Sequence, residues 1–302
     1  MKKKVMITVI GSSNTDMVVK TAKRPAPGET VLGKEFLMNP GGKGANQAVA
    51  AARLGGEVTF ITKTGNDIFG RQALQIFKKE KLNTRYIAVD KNRPSGVALI
   101  TVDDAGENSI VVAPGANAFL LPEDVEKAKK VILSSAILLL QLEIPVETVL
   151  YAAQMASKAG VKVILNPAPA QPLPETLYSS LYLISPNETE TEILTGIRVD
   201  NITAAQEAGR IFLQRGVQHV IITMGSRGAF LFNRDESKLI PARKVQPVDT
   251  TAAGDVFNGA LCVALAEGKS LAEAVNFGNK AAAISVTRMG AQASAPYRKE
   301  IE

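Results

Sequence analysis

One histidine and one cysteine are all that this chain of 302 residues offers to two large classes of chemistry. His219 alone leaves almost no material for a histidine-based triad or a histidine-rich zinc site. Cys262 cannot form an internal disulfide and has no ligand partner at metal spacing, so it reads as a small buried hydrophobe in a reducing compartment. No run reaches the roughly 18 apolar residues of a spanning helix, and the most apolar stretch, residues 134–142, has the length of a buried strand. The basic residues 1–5 lack the apolar segment and cleavage site of a signal peptide, because Gly11-Ser12-Ser13-Asn14 interrupts early. These absences predict a cytoplasmic protein with no membrane partner.

Two nucleotide-binding signatures are also missing. Gly42-Lys43 runs into Gly44 rather than Ser or Thr and is no Walker A loop, and Gly11-Ser12-Ser13-Asn14 lacks dinucleotide spacing. The net charge of +6 is spread over residues 20–24, 78–81 and 127–130 without interleaved aromatics. That argues against a nucleic-acid partner and leaves a field that draws in an anion such as ATP.

What is present is alternation. Residues 5–10, 58–62, 136–140, 161–165, 181–184 and 217–223 read as strands, and 44–54, 68–80, 146–159, 188–194 and 204–215 as helices. This predicts an α/β fold, a Rossmann-like and mainly parallel sheet flanked by helices, in one domain over residues 1–302. Two segments interrupt it, at about 14–40 and 86–113, where short extended runs are broken by Pro25, Pro27-Gly28, Pro94, Gly96, Gly106 and Pro114-Gly115. They read as hairpins that pair as a small antiparallel β-sheet lid, or as long surface loops.

The strongest local signal is Asp249-Thr250-Thr251-Ala252-Ala253-Gly254-Asp255, leading into an apolar helix. A small-residue turn at a buried helix start presents backbone N–H groups where the helix dipole favours negative charge, which suits a phosphate. Asp255 sits at that anion hole. A carboxylate there also complements the dipole with no chemistry at all, and the residues alone leave both readings open. Turn and capping chemistry explain Asp249 and Thr251 equally well.

Other segments carry weaker signals. Lys43 and Asn46 are three apart at the start of a helix and share a face that suits sugar hydroxyls. Asn14 and Asp16 lie just beyond the first strand, where open α/β sheets hold ligands. Asn187 and Glu190 match a helix capping pair. Residues 223–228 read as a hairpin turn, with Arg227 a further phosphate contact.

Together these segments resemble the ribokinase-type carbohydrate kinase family. The likeness runs from Gly11-Ser12-Ser13-Asn14-Thr15-Asp16 through residues 41–48, 64–70 and 166–170 to the signature at 249–255 and Gly290-Ala291-Gln292. It implies transfer of the ATP γ-phosphoryl group to the ribose 5-hydroxyl, with Asp255 as base and the N–H groups of Ala252, Ala253 and Gly254 as anion hole. It assigns sugar contacts to Asn14, Asp16, Gly42, Lys43, Asn46, Glu143 and Asp255. Nucleotide contacts fall on Asn187, Thr223, Gly225, Ser226, Gly228, Gly254 and Asn279, and Glu190 organises Mg2+ through water. A monovalent cation, usually K+, is expected near Asp249, Thr251, Ser285, Arg288, Gly290 and Ser294, and a homodimer through the lid. Ala253 stands where the family often has Gly. Deoxyribose, another sugar or a nucleoside as acceptor, and a non-catalytic sensor, are the competing readings.

Overall fold

The computed structural model describes residues 6–301. Val5, expected to open the first strand, lies outside the described residues together with the basic residues before it. Strand β1 (Met6–Ile10) is followed by β2 (Asn14–Thr21), β3 (Gly33–Gly41), α1 (Lys43–Arg53), β4 (Glu57–Gly65) and α2 (Ile68–Lys79). Next come β5 (Ile87–Asp90), β6 (Gly96–Val102), β7 (Asn108–Ala113) and two short helices, α3 (Pro122–Glu126) and α4 (Lys129–Ser134). The middle alternates as β8 (Ile137–Leu140), α5 (Val146–Lys158), β9 (Lys162–Leu165), α6 (Glu175–Tyr178), β10 (Leu183–Ile184), α7 (Glu188–Thr195), α8 (Ile202–Gln214) and β11 (His219–Thr223). Strands β12 (Ala229–Phe232) and β13 (Ser237–Ile240) precede α9 (Ala253–Ala266), α10 (Leu271–Ser285) and α11 (Ala291–Ser294).

Nine strands form the main sheet in the order β13-β12-β11-β10-β9-β8-β1-β4-β5. All pairs are parallel except the terminal β11-β12-β13 meander. The central strands, β8 above all, are apolar on both faces because both faces are covered. On β8, Ile137 and Leu139 pack with α1, α9 and α10, while Leu138 and Leu140 pack with α5 and α8 on the other side. This period of two divides one strand between two cores. Among the described residues no helix is long and apolar enough to cross a membrane.

Helix α9 is buried from Asp255 to Leu265, as its all-round apolar sequence requires. A Cβ on Gly259 would come within 2.8 Å of the Gln47 carbonyl oxygen, so α1 and α9 approach closely only because that side chain is missing. Their N-terminal ends consequently meet at the carboxyl edge of the sheet.

The two interrupting segments do pair, as a four-stranded sheet ordered β3-β2-β6-β7. Its two hairpins are antiparallel, but β2 and β6 run parallel, so the sheet is mixed rather than wholly antiparallel. Asn14 lies opposite Gly96: both inner strands leave the same edge of the body and must run the same way. Residues 87–90 do not join this sheet. As β5 they pair in parallel with β4 at the edge of the main sheet.

Candidate active site

Helix α9 begins with strain. Ala252, its N-cap, holds a left-handed backbone with φ of 59°, a conformation that costs a residue bearing a Cβ roughly 1–2 kcal/mol and concentrates at functional sites. The first i to i−4 bond runs from the Val256 N–H to the Ala252 carbonyl at 2.9 Å, and the Ala253 N–H makes only a turn contact of 3.3 Å with Thr250. The N–H groups of Gly254 and Asp255 precede that first helical bond and so remain available to an anion. A Cβ on Gly254 would meet nothing within 4 Å. The open space is a cavity of about 180 Å³ lined by residues 252–255 together with Lys43, Asn166, Asn187, Glu190 and Thr223.

Both oxygens of the buried Asp255 carboxylate accept amide N–H groups from α1. Asn46 Nδ2 donates to Oδ2 and Gln47 Nε2 to Oδ1, each at 2.9 Å. Burial pushes the Asp255 carboxyl above its ordinary value, while Lys43 and these two amides pull it down and Glu143 pushes it up. The net direction is upward, as a proton acceptor working near neutrality needs.

Lys43 is the cation of the site. Burial opposes its charge, yet Asp255, Glu143, Glu190 and Asp16 outweigh burial and hold the ammonium above its ordinary value. Asp16 is raised to about 7 by burial, Glu143 and Asp255, against Lys43. Glu143, following β8, accepts the Lys43 backbone N–H at 3.0 Å and the Ser12 hydroxyl. Asn117 orients Asn14 through a 2.8 Å bond to its Oδ1. The glycines ahead of Lys43 are demanded by crowding. A Cβ on Gly41 would come within 2.2 Å of the Asp16 carboxylate, and Gly42, at φ of 89°, would meet the Asn14 backbone nitrogen at 2.7 Å. The residues expected to hold a sugar, from Asn14 to Asp255, therefore converge.

Beside them, Asn187 and Glu190 form a capping box on α7. Asn187 Oδ1 accepts the Glu190 N–H at 2.8 Å, and Glu190 Oε2 accepts the Asn187 N–H at 2.9 Å. Glu190 nevertheless lines the cavity, and burial drives its carboxyl upward. Thr223 bridges to Asn187 in a parallel pairing, and Gly225, Ser226 and Gly228 follow in the hairpin turn. Asn279 Nδ2 donates to the Ile240 carbonyl at 3.0 Å. A Cβ on Gly228 would sit within 2.1 Å of that same carbonyl oxygen, so these two expected nucleotide contacts share one locus. Arg227 turns to Glu188 and the Asp200 carbonyl, at 2.9 Å each.

The remaining expected residues gather beyond α9. Asp249 Oδ1 accepts the Thr251 N–H and Oδ2 the Gly290 N–H, both at 2.8 Å. Burial opposes the Asp249 charge, but its Thr251 and Gly290 bonds hold the carboxyl below its ordinary value. Ser285 Oγ is buried without a partner. The Ser294 hydroxyl donates to Ala291 at 2.8 Å, and the Arg288 side chain pairs with Glu300.

Sequence reasoning missed Gln47, Gln141 and Asn166 as site residues. Gln141 Nε2 donates to Gln47 Oε1 at 2.6 Å, and Gln47 Nε2 also donates to Asn166 Oδ1 at 2.9 Å. The available signal was Gln141 itself, a polar residue directly after the apolar run of β8.

The family model of the pfkB family carbohydrate kinases matches residues 4–298. A ribokinase of Haemophilus influenzae is 47% identical over 97% of this chain and 96% of its own. A deoxyribokinase of Salmonella typhi is 40% identical over 96% of this chain and 95% of its own. Among solved structures, Arabidopsis thaliana ribokinase complexed with ribose and ATP matches with a TM-score of 0.93 and 34% identity, covering 99% of this chain and 98% of that one.

Proposed function

Because the chain belongs to the pfkB family of carbohydrate kinases, we propose that it moves the γ-phosphoryl group of ATP onto the 5-hydroxyl of D-ribose. The observation that carries this reading is the meeting of Asp255, Lys43 and the first turn of α9, whose Gly254 and Asp255 N–H groups remain available, on one small cavity. Asp255 takes the hydroxyl proton as the sugar oxygen bonds to the γ-phosphorus and the bond to the ADP oxygen breaks. The transferring group carries its negative charge past the N–H groups of Ala252, Ala253 and Gly254, where the helix dipole and fixed donors stabilise it without reorganisation. Asn14, Asp16, Gly42, Lys43, Asn46 and Glu143 hold the sugar, carboxylates accepting from vicinal hydroxyls and amides serving both ways. Asn187, Thr223, Gly225, Ser226, Gly228 and Asn279 hold the nucleotide.

The described residues contain no cluster of His, Cys, Asp or Glu able to hold a metal by themselves. A single raised carboxylate, Glu190, fits a magnesium ion that keeps its waters and is bound chiefly by substrate phosphates. Bound there, the ion would neutralise phosphate charge. The anionic Asp249 and the unpartnered Ser285 hydroxyl suit potassium, which Thr251, Arg288, Gly290 and Ser294 would complete with further oxygens. The second sheet is the lid, and its outward apolar residues make a homodimer. A free, buried Cys262 suits a reducing cytoplasm. The Salmonella relative favours 2-deoxyribose as a second reading of the acceptor.

The test is ADP release with ATP and magnesium on D-ribose, 2-deoxyribose, fructose, adenosine or no acceptor, each with and without potassium. Ribose-dependent turnover is expected. Turnover confined to another acceptor overturns the ribose assignment, and none on any acceptor by folded, ATP-binding protein overturns the kinase.

A further inference from the structure

We infer that Gln47 is a positioning residue for Asp255, and that Gln141 and Asn166 lock the Gln47 amide in the one orientation that serves the carboxylate. The inference rests on the reading of Asp255 as the base. A carboxamide has two N–H donors and one carbonyl acceptor. Gln47 spends its donors on Asp255 Oδ1 and Asn166 Oδ1, at 2.9 Å each, and its acceptor on Gln141 Nε2 at 2.6 Å. Turning the amide over would set its oxygen against two oxygens and its NH2 against an NH2. Asn166 is locked in turn, since its Nδ2 donates to the Ser185 carbonyl at 2.9 Å. Gln141 fits only because Gly11 has no side chain: a Cβ there would lie 2.1 Å from Gln141 Oε1.

The network thus ties the carboxyl ends of β8, β9 and β10 to one oxygen of Asp255. Gln47 and Gln141 are fully buried, so neither is placed to touch a sugar or a nucleotide. Locking restricts the plane of the carboxylate. Donation also favours its charged form against burial. The charged groups facing Asp255 are Lys43 from α1, Glu143 after β8, Asp16 from β2 and Glu190 from α7.

The experiment measures kcat and ribose KM against pH for the full chain and for Gln47→Met, Gln141→Met and Asp255→Asn, with folding checked by circular dichroism and ATP binding. Gln47→Met should lower kcat by about tenfold or more, within the range for a slightly misplaced reacting group. Its acidic limb should move up by about one pH unit as a donor to the charged form is lost, with ribose KM nearly unchanged. Gln141→Met, which leaves the Asp255 bonds in place but frees the amide to turn, should move the limb the same way and less. A merely structural role would reduce the folded fraction and leave the limb where it was. An unmoved limb in folded Gln47→Met, or in Gln141→Met if Gln47→Met does not fold, overturns the inference while Asp255→Asn stays inactive. Near-normal turnover by Asp255→Asn would remove the base itself and the inference with it.

Discussion

Asn117 Nδ2 donates to Asn14 Oδ1 at 2.8 Å, and Asn117 Oδ1 accepts the Ser13 N–H at 2.9 Å, so one buried amide fixes both the side chain and the backbone where β1 gives way to β2. Asn14 is one of the proposed sugar contacts, and Asn117 orients it from a segment more than a hundred residues away. Replacing Asn117 by Ala frees Asn14 to rotate and leaves the Ser13 N–H buried and unpaired. Ribose KM is expected to rise about tenfold, the cost of roughly one hydrogen bond, with kcat little changed. A kcat loss at constant KM in steady-state kinetics would place Asn117 with the base rather than the sugar.

Asp255→Asn keeps the size of the side chain and removes the proton acceptor. The variant should lose at least about 10²-fold in kcat, the lower end of general-base contributions, and still fold. Nucleotide binding by calorimetry should survive, because the proposed anion hole uses backbone N–H groups.

Asp16 gives the clearest pH dependence. Burial, Glu143 and Asp255 raise its carboxyl to about 7. A raised carboxyl binds its proton more tightly folded than unfolded, so its contribution to stability is full below the ordinary carboxylate range and is lost as pH rises through 7. Sugar binding runs the other way, since only the ionised form accepts two hydroxyl donors. Ribose affinity measured calorimetrically without ATP should improve about tenfold from pH 6 to pH 8, following the ionised fraction of a group with that pKa. Asp16→Asn should flatten the profile. Equal affinity at both pH values in the parent protein would dismiss Asp16 as the controlling group.

Asp249 ties the turn before α9 to Gly290, and the proposed potassium site depends on that tie. Exchanging potassium for tetramethylammonium should lower kcat, and Asp249→Asn should remove the difference between the two salts. A fall of about tenfold is expected, in the range for disturbing groups around a bound cation. If the parent enzyme turns over equally in both salts, the site has no role in catalysis.

The body was legible wherever structure is local. Runs such as 137–140 are apolar on both faces and short, and strand with helix alternates as the sheet requires. Helix α9 announced itself because nothing polar follows Asn258 for several residues. The amide network under Asp255 was hidden because Gln47 and Asn166, its extremes apart from the carboxylate, are separated by 119 residues, and amides carry no periodicity. The parallel pairing of β2 with β6 was hidden for a related reason. Each hairpin is local, but their mutual direction is set by where both leave the main sheet. Residues 87–90 look like the rest of an irregular segment, and only the free edge of β4 recruits them into the body.

That same register organises the last prediction. Asp16 lies opposite Ala98, and Ala98 opposite Val112, so this row shares the face that carries Asp16. One residue along, Met38, Met17, Leu99 and Val111 form a continuous apolar row on the opposite face. Leu99 is 52% and Val111 67% exposed, and β7 is a free edge. An apolar row beside an unpaired edge invites another chain, and native sheets ordinarily guard such edges with charge. Sedimentation should show a dimer for the parent protein. The double variant Leu99→Asp with Val111→Asp should sediment as a monomer, because like charges would face each other across the symmetric contact. The substituted side chains point away from Asp16, so the monomer should still bind ATP. A parent protein that is monomeric across a wide concentration range would assign the exposed row no partner of its own kind.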